Sequence, residues 1–179
     1  MPRTRRKATR DELLTAGLKL ARRRPLSSLR VDDLVAGAKV AKGTFYLHFK
    51  DRADYLVQLH RGFHDEVMRS VQEAVARGAP GLERLLTGSL AYLDACRRGH
   101  PVKALLMDAR VEPAIQAEVA RQNRRFAQRA AQEFAADGWP APESAARLWV
   151  GMVAEAALAE AEGNAESAEL RASLRRFLS

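Results

Sequence analysis

A chain of 179 residues, 47% hydrophobic and 29% charged, is long enough to bury one or two small cores and too ordinary in composition to be fibrous or disordered. A single cysteine, Cys96, excludes an internal disulfide framework, and no apolar run approaches the length of about 18 residues that a membrane helix needs. The net charge of +8 is confined: residues 1–55 carry 14 Lys or Arg against 6 Asp or Glu, while residues 56–179 carry 16 of each. Such asymmetry points to a polyanion-binding module joined to a neutral one. The basic opening has no signal-peptide apolar segment behind it, and the lone cysteine fits a reducing cytosol, so a cytoplasmic location is expected.

The pattern predicts helix almost throughout. Pro2-Arg3-Thr4-Arg5-Arg6-Lys7 reads as a flexible arm. Thr9-Arg10-Asp11-Glu12 has the form of a capping box, and Leu13, Leu14, Gly17, Leu18, Leu20 and Ala21 follow as a stripe that Pro25 ends. Val31, Leu34, Val35 and Ala38 mark a second helix, and a short third begins near Ala41. Asp51 can cap a long fourth helix with Leu56, Leu59, Phe63, Val67, Val71 and Ala74 on one face, closing at Arg77-Gly78. Leu82, Leu85, Leu86, Leu90 and Leu93 mark the next, ended by Arg97-Arg98-Gly99. Pro101 and Pro113 stand where helices start. Ile115, Val119, Phe126 and Ala130 continue to Gly138, Pro142 opens a helix that Gly163 closes, and Leu170, Leu174 and Phe177 mark the last. No alternating run reads as a strand. The expectation is an all-α chain of about nine helices with a basic three-helix unit first.

Ala41-Lys42-Gly43-Thr44-Phe45-Tyr46-Leu47-His48-Phe49-Lys50-Asp51-Arg52 mixes aromatics with cations. Only a few residues separate the second and third helices, which is helix-turn-helix spacing, and the third helix of such a unit enters the DNA major groove. Phe45 and Phe49, four apart, share the face that packs inward. Lys42, Thr44, Tyr46 and His48 then face outward. Lysine donates to guanine edges or phosphate, threonine to phosphate or against a thymine methyl, and tyrosine and histidine to phosphate oxygens.

Residues from about 9 to 56 resemble the DNA-binding domain of the TetR family of transcriptional regulators. The matching residues are Val31-Asp32-Asp33-Leu34, the run Val40-Ala41-Lys42-Gly43-Thr44-Phe45-Tyr46-Leu47-His48-Phe49, and the entry Lys50-Asp51-Arg52. The remainder is similar in size and helicity only. The resemblance implies a DNA-binding domain at residues 1–50 and a ligand-sensing, dimerising domain at 51–179. It implies a homodimer on a palindromic double-stranded operator, released by a small molecule, with repression the usual outcome. It assigns DNA contacts to Lys42, Thr44, Tyr46 and His48, with Arg52 and Ser28 touching phosphate. Two positions depart from the pattern. Lys39 stands where the family often has glycine, which stands here at Gly37; a left-handed lysine costs roughly 1 kcal/mol but places its charge near DNA. Ala41 stands where serine would cap the third helix. A same-fold regulator without a small-molecule effector is the alternative, and a helical metal-binding protein or enzyme a more distant one.

His60 and His64, four apart, could hold a transition metal, though a polar helix face is the plainer reading, and no metal or other cofactor is expected. Cys96 and His100 lack a third group to orient them, so a buried structural cysteine is expected. Leu148, Trp149, Met152 and Val153 lie in a helix apolar nearly all round. Leu148, Met152, Val153, Ala156, Leu170, Leu174 and Phe177 are the expected dimer seam, and Glu155 would need a partner if buried. Tyr92, Met107, Phe126 and Trp149 are candidates to line a ligand cavity. No phosphate loop, zinc-protease helix or nucleophile elbow appears, which argues against an enzyme.

Overall fold

The structure, a computed structural model, describes residues 2–98 and 113–179, with no side-chain description for residues 2–8 and 114. Eight α-helices are present among the described residues: α1 (Pro2–Ala21), α2 (Val31–Ala38), α3 (Lys42–Tyr46), α4 (Arg52–Val75), α5 (Leu82–Arg98), α6 (Pro113–Ala136), α7 (Pro142–Gly163) and α8 (Ala168–Phe177). They include no strand. Pro101 and His100 lie outside the described residues, as does Met107. The chain divides into two compact units. One holds the described residues up to Phe63 with the start of α6 as far as Glu118, and the other holds the rest. The division thus falls inside α4.

In the first unit α1 packs on α2, and α2 on α3. Leu13, Leu26, Leu29, Leu34, Phe45 and Leu56 are fully buried. Each such side chain contributes about 2 kcal/mol relative to exposure. Phe45, Phe49 and Tyr55 form one ring cluster with centroids 4.9–5.5 Å apart. The Tyr55 hydroxyl donates to the Leu13 carbonyl at 2.9 Å beside Gly17, where any β-carbon would collide with it. Helix α1 corrects one expectation. It runs from Pro2, so the opening basic residues are helical and Thr9 lies within the helix instead of capping it. Lys39 does take the left-handed conformation, φ 57°, at the end of α2, where Val40 N–H returns to the Val35 carbonyl at 3.0 Å. Gly37 serves another end: a β-carbon there would lie 3.3 Å from that of Ala16, so glycine lets α2 approach α1.

In the second unit α5 packs on α7 and α8, and α7 on α8. Pro142 opens α7 at its first turn, and Gly138, φ 68°, closes α6. Glu155 is exposed; the buried acid of α7 is Glu160, which the sequence did not single out. Arg171 of α8 reaches both Glu160 oxygens, at 2.8 and 2.9 Å, and Asp94 of α5 at 2.8 Å. Burial pushes the Glu160 carboxyl up, but the Arg171 guanidinium and the Ser167 N–H outweigh it and hold it below its usual range.

Candidate nucleic-acid interface and interior cavity

The outward face of the helix-turn-helix is set by what it buries. With Phe45 and Phe49 turned inward, Lys42 and Tyr46, one turn apart, stand exposed on α3. Thr44 and His48 are half-buried, and His48 lies just beyond the helix end. Ala41 caps α3 without a side-chain hydrogen bond. Lys42 Nζ is 2.7 Å from Asp32 on α2, and that carboxylate raises the lysine's affinity for its proton. Tyr46 packs edge-on against Phe45 at 5.3 Å, which fixes the ring while leaving it in solvent. Leu47 is 65% exposed beside it, an apolar element of this face that residue-by-residue donor counting passed over.

Two side chains expected to touch phosphate have structural uses. Arg52 Nε donates to the Leu29 carbonyl at 2.6 Å, and its Nη2 donates to those of Leu26 and Ser27 at 2.7 and 3.0 Å. Arg52 thus ties α4 to the short turn Leu26–Ser28 that leads into α2. A cation in the first turn of a helix opposes the helix dipole, which was the available hint that it has a specific task. The Ser28 hydroxyl donates to the Pro25 carbonyl at 2.7 Å, which uses its only proton. Lys39 is exposed. Two carboxylates cap α4: Asp54 N–H donates to Asp51 at 2.8 Å, and Lys50 N–H, one residue before the cap, donates to Asp54 at 3.0 Å.

The second unit holds a cavity of about 380 Å³ that opens to solvent past the exposed Gln72, Arg129 and Gln132, within the range of small-molecule sites. Tyr92, Phe126 and Trp149 all line it, with Val71, Val75 and Leu85 among the apolar walls. Trp149 Nε1 donates to Ser89 Oγ at 3.0 Å, and Ser89 in turn donates to the Leu85 carbonyl at 2.8 Å. Arg84 and Glu133 pair at 2.7 Å in the wall.

The expected dimer residues separate into two sets. Leu148 and Phe177 are exposed at 71% and 61%, with Leu170 exposed and Met152 half-buried. Val153, Ala156 and Leu174 are buried within the single chain, and Val153 lines the cavity. Helix α7 carries apolar residues on both sides, so one stripe serves the core and the other stays exposed. His60 and His64 are buried instead of forming a polar surface, and burial lowers His60 to about 4 against a smaller upward pull from Glu118. No group of three or more metal-ligating side chains occurs among the described residues. Burial pushes the Cys96 thiol up to about 12, where it is inert. No helix among the described residues is long and apolar enough to cross a membrane.

A basic helix-turn-helix with an exposed third helix is thus followed by a helical unit that holds a largely apolar pocket. Residues 13–59 match the family described as bacterial regulatory proteins, tetR family. The chain is 31% identical over 102 residues to the HTH-type transcriptional repressor KstR2 of Rhodococcus jostii, covering 55% of this chain and 48% of that one. It is 31% identical over 87 residues to the transcriptional regulator AcuR of Cereibacter sphaeroides, covering 49% and 35%. The chain therefore spans about half the length, or less, of these curated relatives. Its fold is that of a Rhodococcus transcriptional regulator, with a TM-score of 0.79 at 19% identity over 94% of this chain and 93% of that one. NemR of E. coli in its reduced form shares the fold at a TM-score of 0.76 and 17% identity, over 96% and 97% of the two chains.

Proposed function

We propose that this protein is a transcriptional repressor that binds a palindromic operator as a homodimer and leaves it when a small molecule occupies the second unit. One observation carries the reading: the exposed Lys42 and Tyr46 face of α3, on a helix-turn-helix that holds all of the chain's excess positive charge. Lys42 and Leu47 meet base edges, Tyr46 and His48 meet phosphate, and Lys39 adds charge beside the backbone. Thr44 lies at the edge of the same surface. Arg52 and Ser28 shape the turn before α2, and their part in binding is to hold it. The exposed Leu148, Leu170 and Phe177 form the seam between subunits, which sets the two recognition helices about 34 Å apart, one turn of DNA.

The cavity favours this reading over a regulator of the same fold that senses no ligand. The test is a binding series on operator DNA across a range of salt. Each phosphate neutralised releases counterions, so log affinity falls against log salt with a slope of about −0.9 per contact. A flat line would overturn DNA binding as the function. Leu148→Asp, sedimented alongside the wild type, should give helical monomers with weak operator affinity. A monomeric wild type that still binds tightly would remove the dimer and the palindrome from the reading.

A further inference from the structure

The cavity's polar side chains can be accounted for one at a time. Ser89 has donated to Leu85 and accepted from Trp149. The Tyr92 hydroxyl lies beside the Cys96 thiol, one turn along α5. Arg84 and Glu133 hold each other through two contacts, at 2.7 and 3.1 Å, and Glu133 also accepts the Gly81 N–H at 2.9 Å. The wall therefore offers neither an uncommitted anion nor a buried, uncommitted cation among the described residues. Arg129 also lines the cavity, but it is exposed, where water weakens any ion pair it makes. Gln72 and Gln132 are exposed too. That leaves the half-buried amide of Asn123. Asn123 lines this cavity and also the groove between α6 and α7, and it shares that position with Val150. The same groove is bordered by Ala127, Ala131 and Gly151, small side chains that leave room for passage.

We propose that the cavity takes an uncharged, largely apolar molecule with one carbonyl or hydroxyl group, hydrogen-bonded by Asn123 and admitted through the α6–α7 groove past Val150. Filled to about half to three-quarters of its volume, the cavity holds roughly 12–18 non-hydrogen atoms. A carboxylate or ammonium group on the same skeleton would enter an apolar wall without a counter-charge. An amide serves a ketone as donor and a hydroxyl as donor or acceptor. The inference rests on reading the cavity as the effector site.

The experiment uses four molecules of one skeleton: dicyclohexyl ketone, dicyclohexylmethane, dicyclohexylacetate and dicyclohexylmethylamine. Calorimetry on the full chain should show the ketone binding tightest, the hydrocarbon roughly fivefold weaker, and both charged molecules at least about tenfold weaker. Asn123→Leu should bring the ketone down to the hydrocarbon and leave the hydrocarbon unchanged; Asn123 is partly exposed, so this variant should fold as the wild type does. Val153→Phe should weaken all four by filling the space. Preference for the carboxylate or the amine, or an unchanged ketone preference in Asn123→Leu, would overturn the inference, as would binding by none of the four. Operator release is followed in parallel. Binding without release leaves the ligand chemistry standing and removes the effector role. Release driven by dicyclohexylacetate in preference to the ketone removes the ligand chemistry and keeps the regulator.

Discussion

The two units differ in where their most buried or most connected polar side chains are used. In the first, beside surface pairs such as Lys42 with Asp32, the long-range bonds go to backbone: Arg52 grips three carbonyls of the turn before α2, Tyr55 grips Leu13, and Asp51 and Asp54 cap α4 and its entry. In the second, side chains hold each other across helices: Arg171 with Glu160 and Asp94, Arg84 with Glu133, Trp149 with Ser89. Backbone clamps fix the path of the chain, which the proposed DNA-reading surface would require before it meets its target. Side-chain ties fix neighbouring helices at a few points and leave space between them. A unit of that kind can re-pack around an occupant with few bonds exchanged.

If the cross-helix ties carry the second unit, cutting one should be costly. Arg171→Ala leaves Glu160, 2% exposed, without its counter-charge, and should lose about 3–5 kcal/mol in denaturant unfolding. Replacing Arg171 and Glu160 together by methionine should recover most of that loss, because the orphaned charge disappears with its partner. A single variant as stable as wild type would show that the pair holds nothing. In the first unit the counterpart is Gly17→Ala. Alanine improves helix propensity by about 1 kcal/mol, yet its β-carbon meets the Tyr55 hydroxyl. Displacing that buried hydroxyl and its bond to Leu13 should leave a net loss of about 2 kcal/mol. A stabilised Gly17→Ala protein would show that Tyr55 is not tied to α1.

A third contrast uses pH. His60 is fully buried in the first unit near Glu118, which pairs with Arg61 at 2.9 Å. Its folded-state pKa of about 4 lies below the ordinary 6.5. Between those values the unfolded chain binds the proton and the folded one does not, so stability falls as pH falls through that window. The loss from this group between pH 7 and pH 5 should be about 2 kcal/mol. His60→Gln should flatten that part of the profile; an unchanged slope would assign it to other groups.

The first unit was far more legible in sequence than the second. Its elements are short and punctuated, and the alternation of Phe45 and Phe49 with Lys42, Tyr46 and His48 encodes inside and outside directly. The left-handed Lys39 could be foreseen from the turn. What escaped there were long-range uses: Arg52 and Tyr55 bond to carbonyls more than 20 residues away, and carbonyls leave no mark in a sequence. Thr9 misled because a capping box is a local pattern that a longer helix can absorb. In the second unit helical spacing located the helices but not their facing sides. Helix α7 is apolar all round, so Val153 and Ala156 look interchangeable with Leu148 until neighbouring helices fix the rotation. Tyr92, Phe126 and Trp149 were brought to one cavity, yet Asn123, a small polar side chain on a polar helix, carries no signal until its neighbours are seen to be engaged.

The smallest expected effects separate two residues on one helix face. Lys42 opens α3, where side chains reach base edges, and without DNA it is paired with Asp32 at 2.7 Å. If, as proposed, it exchanges that partner for a base on binding, Lys42→Ala should flatten the preference at one base pair by about 1–3 kcal/mol. Asp32→Asn should strengthen binding at low salt, since it removes a competitor for the lysine along with a negative charge near phosphate. Tyr46→Phe keeps the ring against Phe45 and removes only the hydroxyl. It should weaken binding to every sequence alike, by about 1 kcal/mol, the worth of one phosphate hydrogen bond. Selection from a randomised operator library with each variant distinguishes the roles. If both variants shift to the same altered preference, the division of α3 into a base-reading end and a phosphate-holding end is wrong. If Tyr46→Phe alone changes the preferred sequence, the tyrosine reads bases and Lys42 holds the backbone.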